Sequence, residues 1–117
     1  MSDTKRDIGN RGEDAACRYL EQQGYTILCR NYTVRYGEID IIAQKDDMVV
    51  FAEVKTRRSD RFARACEAVS PQKQRRLIAA AQMWLAETGY DGNARFDVIE
   101  VYPNGTINLI ENAFWVS

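Results

Sequence analysis

Three β-like runs follow one another between Tyr25 and Thr56 with only short connections, and this limits the folds open to the chain. Tyr25–Tyr32 (YTILCRNY) alternates polar and apolar residues. Gly37 opens a second run, Glu38 to Ala43. A polar Lys45-Asp46-Asp47 turn leads into a third, Met48 to Thr56 (MVVFAEVKT). Connections this short join antiparallel neighbours, because a parallel step needs a crossover of a dozen residues or more. The spacing therefore predicts an antiparallel meander.

Helical patterns flank it. Asn10 reads as an N-cap with Glu13 three positions on, a capping-box pair. Ala16, Tyr19, Leu20 and Gln23 follow at helical spacing, and Gly24 is a natural stop, so a helix is expected over 10–23. Ser59 and Asp60 can begin a short helix over 61–68. Ser70-Pro71 is a stronger start, a Ser cap with Pro at the first helical position. Leu77, Ala80, Ala81, Trp84 and Leu85 then form an apolar stripe that ends at Gly89. Further strands are expected at Ala94–Tyr102 and, after Pro103-Asn104-Gly105, at Thr106–Ile110. The order α-β-β-β-α-β-β predicts an α/β (α+β) fold, a mixed central sheet flanked by helices. At 117 residues the expectation is one domain, 1–117, with residues 1–8 polar and loose.

Composition narrows the chemistry. The chain has no histidine, which removes Ser-His-Asp and Cys-His nucleophiles and imidazole metal ligands. Its three cysteines, Cys17, Cys29 and Cys66, form no CxxC pair. Their odd number reads as a reduced, cytoplasmic protein. No apolar run approaches the ~20 residues that span a bilayer. Carboxylates, Lys, Arg, Tyr and hydroxyls remain, a set suited to hard cations such as Mg²⁺ or Mn²⁺.

Strand alternation singles out a few of these groups. On the second run Ile39, Ile41 and Ala43 are expected on one face, Glu38 and Asp40 on the other. On the third, Glu53 and Lys55 follow Val49 and Phe51 on a face that should be covered. Neighbouring strands lie about 5 Å apart, so Asp40 and Glu53 could point into one small space beside Lys55. Two carboxylates and a lysine there suit metal-assisted phosphoryl chemistry. They equally suit an ordinary cross-strand salt bridge. Glu13 could cap its helix or turn inward as a further carboxylate. Asp97, on an otherwise apolar strand, reads as a structural partner for an arginine. Tyr25, Tyr32 and Tyr36 could stack on bases or pack beside strands.

The net charge of −1 conceals a basic block. Residues 55–76 hold Lys55, Arg57, Arg58, Arg61, Arg64, Lys73, Arg75 and Arg76 against Asp60 and Glu67, a local +6. Such a block is either an electrostatic footprint for phosphate or a solvated helix surface. Beside a carboxylate site, arginines at 57, 58, 61 and 64, with Lys73 and Arg76, form a plausible grip on a phosphodiester backbone.

Asn10-Arg11-Gly12-Glu13-Asp14-Ala15-Ala16, Arg35-Tyr36-Gly37-Glu38-Ile39-Asp40-Ile41-Ile42-Ala43 and Val50-Phe51-Ala52-Glu53-Val54-Lys55-Thr56-Arg57 resemble the bacterial YraN-like family. Arg95-Phe96-Asp97-Val98-Ile99-Glu100-Val101 resembles its late strand, and the likeness runs over about residues 8–112. That family looks like a branch of the restriction-endonuclease-like, PD-(D/E)XK superfamily, near the archaeal Holliday-junction resolvases. The resemblance implies an αβββαβ core, with Asp40, Glu53 and Lys55 as the catalytic set. It implies Glu13, Asp40 and Glu53 as metal ligands. Ile39 stands where the superfamily often has proline. The implied activity is Mg²⁺- or Mn²⁺-dependent cleavage of branched or structured DNA, with DNA as partner, a homodimer for symmetric cutting, and no membrane. The alternatives are a nucleic-acid-binding module that does not cleave and a protein-interaction domain.

Overall fold

A computed structural model describes residues 5–58 and 69–113. The elements run α1 (Lys5–Gln22), β1 (Thr26–Val34), β2 (Gly37–Lys45), β3 (Met48–Thr56), α2 (Pro71–Thr88), β4 (Asn93–Val101) and β5 (Ile107–Ile110). The expected helix over 61–68, Arg61, Arg64, Cys66 and the apolar ending Phe114-Trp115-Val116 lie outside the described residues.

The five strands form one mixed sheet in chain order, β1-β2-β3-β4-β5. The first three are the predicted antiparallel meander. β4 lies parallel to β3, from Met48↔Asn93 to Thr56↔Val101, and α2 belongs to the crossover that parallel pairing requires. β5 returns antiparallel along β4.

Alternation along β3 sends its side chains to two cores. Val49 and Phe51 join Leu77, Ala80, Ala81 and Trp84 of α2. Val50 and Ala52 join Ala16, Cys17 and Leu20 of α1. One helix thus covers each face, and the central strands are buried on both sides. α2 begins as its sequence demands: Ser70 Oγ accepts the Lys73 N–H at 3.3 Å, and Pro71 follows. Gly89 ends it with a left-handed φ of 69° and an N–H to the Leu85 carbonyl.

Three expectations are corrected. α1 starts at Lys5, so residues 5–8 are helical rather than loose, and Asn10 is internal rather than a cap. Glu13 therefore has no capping box. It shares the buried stripe of Ala16, Cys17 and Leu20, one helical turn away. Finally, Ile39 packs with the α2-side core while Ile41 and Ala43 pack with the α1 side, so the three do not share a face. The alternation breaks at Asp40, where β2 leaves its partner.

Candidate functional site

The backbone pairing of β2 with β3 runs from Lys45↔Met48 to Ile41↔Ala52. Beyond that point Asp40 Oδ2, rather than a backbone carbonyl, accepts the Val54 N–H at 2.9 Å. The two strands part around this carboxylate, and the opening meets the start of α2. Glu38, Asp40, Glu53, Lys73, Arg76 and Leu77 line the resulting cleft of about 50 Å³.

Asp40 is crowded by like charge in a poorly hydrated place. Its pKa is raised from 3.8 to about 6, first by burial and then by the carboxylates of Glu53, Glu13 and Glu38, against the Val54 hydrogen bond. Glu53 is 8% exposed. Its Oε1 accepts Lys73 Nζ at 2.9 Å and has Lys55 Nζ at 4.0 Å. Its Oε2 is buried without a hydrogen-bond partner. The closer cation is therefore Lys73, twenty residues along the chain, and not the strand neighbour Lys55. The hydrogen bond to Glu53 raises the Lys73 pKa. Burial lowers that of Lys55, and Lys73 beside it lowers it further, against the attraction of Glu53.

Two glycines let both helices approach this point. A Cβ on Gly12 would stand 2.3 Å from Thr56 Oγ1, and one on Gly37 only 1.9 Å from the Arg76 carbonyl oxygen. Gly12 thus brings α1 against the end of β3, and Gly37 brings the first turns of α2 against the start of β2. The residue after each is acidic. Glu38 lines the cleft, whereas the Glu13 carboxylate is held by Asn31 Nδ2 at 3.0 Å and Arg30 Nε at 3.3 Å. Glu13 does not line the cleft; it acts on Asp40 through its charge.

The donor set can be tested against a cation. Among the described residues no group of three or more acidic or sulfur ligands converges on one point. Mg²⁺ does not need such a cage, because it is held by one or two carboxylates and completes its shell with water and phosphate oxygens. The orphaned Glu53 Oε2 and the charge-crowded Asp40 meet that requirement with oxygen alone. The residues fit a small hard cation bound through two carboxylates.

The basic residues divide. Lys73 and Arg76 line the cleft, whereas Arg58 is exposed and does not line it. Arg57 is turned inward: its Nε donates to Glu100 Oε2 at 2.7 Å, and Asn108 Nδ2 donates to Glu100 Oε1 at 2.8 Å. Asp97 is the structural partner expected of it, gripped by Arg95 through two hydrogen bonds of 2.8 and 2.9 Å. Glu100, 1% exposed, was not singled out in the sequence. Its alternation with Val98 on a covered strand is the signal that points to it. Glu38 shares the same signal with Asp40.

The surroundings of these residues have counterparts in known sequences. Residues 12–101 match the profile of UPF0102, described as an uncharacterised protein family. The match contains every residue that lines the cleft, from Glu38 and Asp40 to Leu77, and the Gly12-Glu13 and Lys55 positions near it. A UPF0102 protein of Vibrio parahaemolyticus is 46% identical over 113 residues, covering 94% of this chain and 93% of the relative. One from Caldicellulosiruptor saccharolyticus is 45% identical over 116 residues, covering 94% and 98%. One from Symbiobacterium thermophilum is 47% identical over 114 residues, covering 93% and 97%. With the family profile spanning most of the chain and relatives aligned nearly end to end, this protein belongs to the UPF0102 family.

Proposed function

We propose that the chain is a divalent-metal-dependent endonuclease of the restriction-endonuclease-like kind, acting on DNA. The observation that carries this reading is the meeting of Asp40, Glu53, Lys55, Lys73 and Arg76 where β2 parts from β3. A structural salt bridge would need two of these groups; five, with a buried orphan oxygen, exceed what the scaffold uses.

Asp40 and Glu53 would hold Mg²⁺ or Mn²⁺. The chemistry such a cation would supply there is polarisation of a phosphoryl oxygen and a more acidic bound water. Lys55 sits two residues from Glu53 on the same face of β3. From there its ammonium can orient the attacking water or face charge gathering on the phosphate. Lys73 and Arg76 bind the phosphodiester, with Arg58 extending the grip; arginines at 61 and 64 follow in the sequence. Glu13 adds negative charge behind Asp40, which strengthens the hold on a cation.

Contacts of this kind read the backbone and favour shape over sequence. Branched DNA is the substrate the family resemblance implies, and symmetric cutting of a two-fold junction calls for two copies of the chain. Among the described residues no helix is long and apolar enough to cross a membrane. The test is cleavage of linear, flapped and four-way DNA by purified protein with Mg²⁺ or Mn²⁺, and with EDTA. Metal-dependent cutting of at least one substrate is expected. Tight, salt-sensitive binding without cutting under any metal would favour the non-cleaving module.

A further inference from the structure

The hairpin joining β1 to β2 breaks the usual rules of its turn. Val34 pairs with Gly37, so the loop is only Arg35-Tyr36. Two-residue hairpins favour Asn, Asp or Gly with positive φ. The neighbouring hairpin obeys, with Asp46 at φ 54° in an Asp46-Asp47 loop. Arg35 and Tyr36 are not among the positive-φ residues described, and neither is a turn former. Positions where a sequence departs from a local rule are expected at functional or strained sites.

What the loop offers is a flat, uncovered ring. Tyr36 is 69% exposed, more than any other large apolar or aromatic side chain described. The Arg35 guanidinium carbon lies 5.2 Å from its ring centroid, a cation–π pair. Tyr25 and Tyr32 differ: Tyr25 accepts Arg95 Nη2 at 3.0 Å and packs on the α1-side core, and Tyr32 packs on the α2 side. Of the three tyrosines weighed for stacking, only Tyr36 presents its ring to solvent.

The loop is fixed relative to the cleft. Gly37 follows Tyr36 and is pressed against the Arg76 backbone. Glu38 and Arg76 both line the cleft. Tyr36 stands four residues before Asp40, ~13 Å along an extended strand, or about four base steps.

We infer that Tyr36, braced by Arg35, is a stacking platform for an unstacked nucleobase, and selects nucleic acid with a splayed or unpaired base next to the cleft. This rests on reading the cleft as a phosphodiester site. A base in a duplex keeps its faces covered by its neighbours, whereas an unpaired base presents one. Base–aromatic stacking carries little sequence preference, as does a phosphate-gripping cleft.

The test measures binding in EDTA, so it does not depend on cleavage. The full chain is titrated into a labelled oligothymidylate of about a dozen nucleotides, an oligouridylate of the same length, and a duplex. Tyr36→Ala is expected to weaken single-strand binding by roughly 5- to 150-fold and duplex binding by less than about 2-fold. Tyr36→Trp restores it, with indole fluorescence quenched on binding. Equal losses on DNA and RNA strands make the platform indifferent to the sugar; a loss on one alone names the source. Unchanged melting of Tyr36→Ala, expected from its exposure, shows that the fold is intact. Wild-type single-strand binding by Tyr36→Ala, equal losses on strand and duplex, or no single-strand binding by the wild type would each overturn the inference. If cleavage is absent under every metal but the Tyr36 effect persists, the nuclease reading fails and the platform stands.

Discussion

Replacing Asp40 by asparagine should make the metal-free protein more stable. The carboxyl pKa is about 6 in the folded chain against 3.8 ordinarily. A raised folded pKa means that the native state prefers the protonated form, so the group's contribution is most favourable below about pH 4. It is lost as pH rises through 6. Two units correspond to about 3 kcal/mol of strain carried by wild type at pH 7.5. Asparagine is close to the protonated acid in shape, and its side-chain oxygen can take the place of the Asp40 Oδ2 that accepts the Val54 N–H. Asp40→Asn should thus gain ~1–3 kcal/mol at pH 7.5, roughly 4–10 °C in melting temperature for a chain of this length. The gain should fade to nearly nothing by about pH 4, because wild type is then protonated too. Urea unfolding of both proteins in EDTA, from pH 4 to 8, measures the difference directly. Equal stability at pH 7.5, or a less stable variant, would refute the reasoning and make Asp40 an ordinary structural anchor.

Lys73→Ala leaves Glu53 without its 2.9 Å partner and should cost about 1–2 kcal/mol, between the exposed and buried limits for ion pairs. Millimolar Mn²⁺ should recover part of that loss in a melting assay, by binding the native state. Gly37→Ala forces a Cβ into the Arg76 carbonyl and should cost roughly 2–3 kcal/mol or more in urea unfolding. Gly12→Ala clashes with the Thr56 side chain, its Oγ1 first, so the added substitution Thr56→Ala should restore most of its stability. Arg76→Gln should lower the salt slope of duplex binding by about 0.9, the value of one phosphate contact. Arg57→Ala should instead leave that slope nearly unchanged and cost about 2–4 kcal/mol in a melt, since it strands Glu100 in the core.

Local signals along the chain were strong where one residue decides the geometry. Ser70-Pro71 and Gly89 bound α2, and the run Met48–Thr56 is β3 residue for residue. The opposite faces of Val49 and Val50 follow from alternation alone, and so does the burial of Glu53. The start of α1 was not legible, because the polar segment before Asn10 carries no apolar period to reveal a helix. The reversal at Ile39 was hidden for another reason. Period-two reading assumes an unbroken ladder, and here a side chain, Asp40, replaces the backbone partner of Val54. Lys73 on Glu53 and Arg57 on Glu100 join residues 20 and 43 positions apart. Sequence spacing says nothing about such pairs until α2 is docked and β4 lies along β3. The site was thus readable as a set of residue types, and its division into cleft-lining and scaffold-bound cations was not.

The most direct test follows one variant through two assays. Wild type is expected to cut a four-way or flapped DNA in single-turnover assays with Mn²⁺ or Mg²⁺, and Asp40→Asn should melt higher than wild type in EDTA and yet fail to cut it. A group that destabilises the scaffold yet is needed for the reaction is what the proposed metal-binding role predicts for Asp40. Cleavage by Asp40→Asn at the wild-type rate, or none by wild type under either metal, would contradict the account.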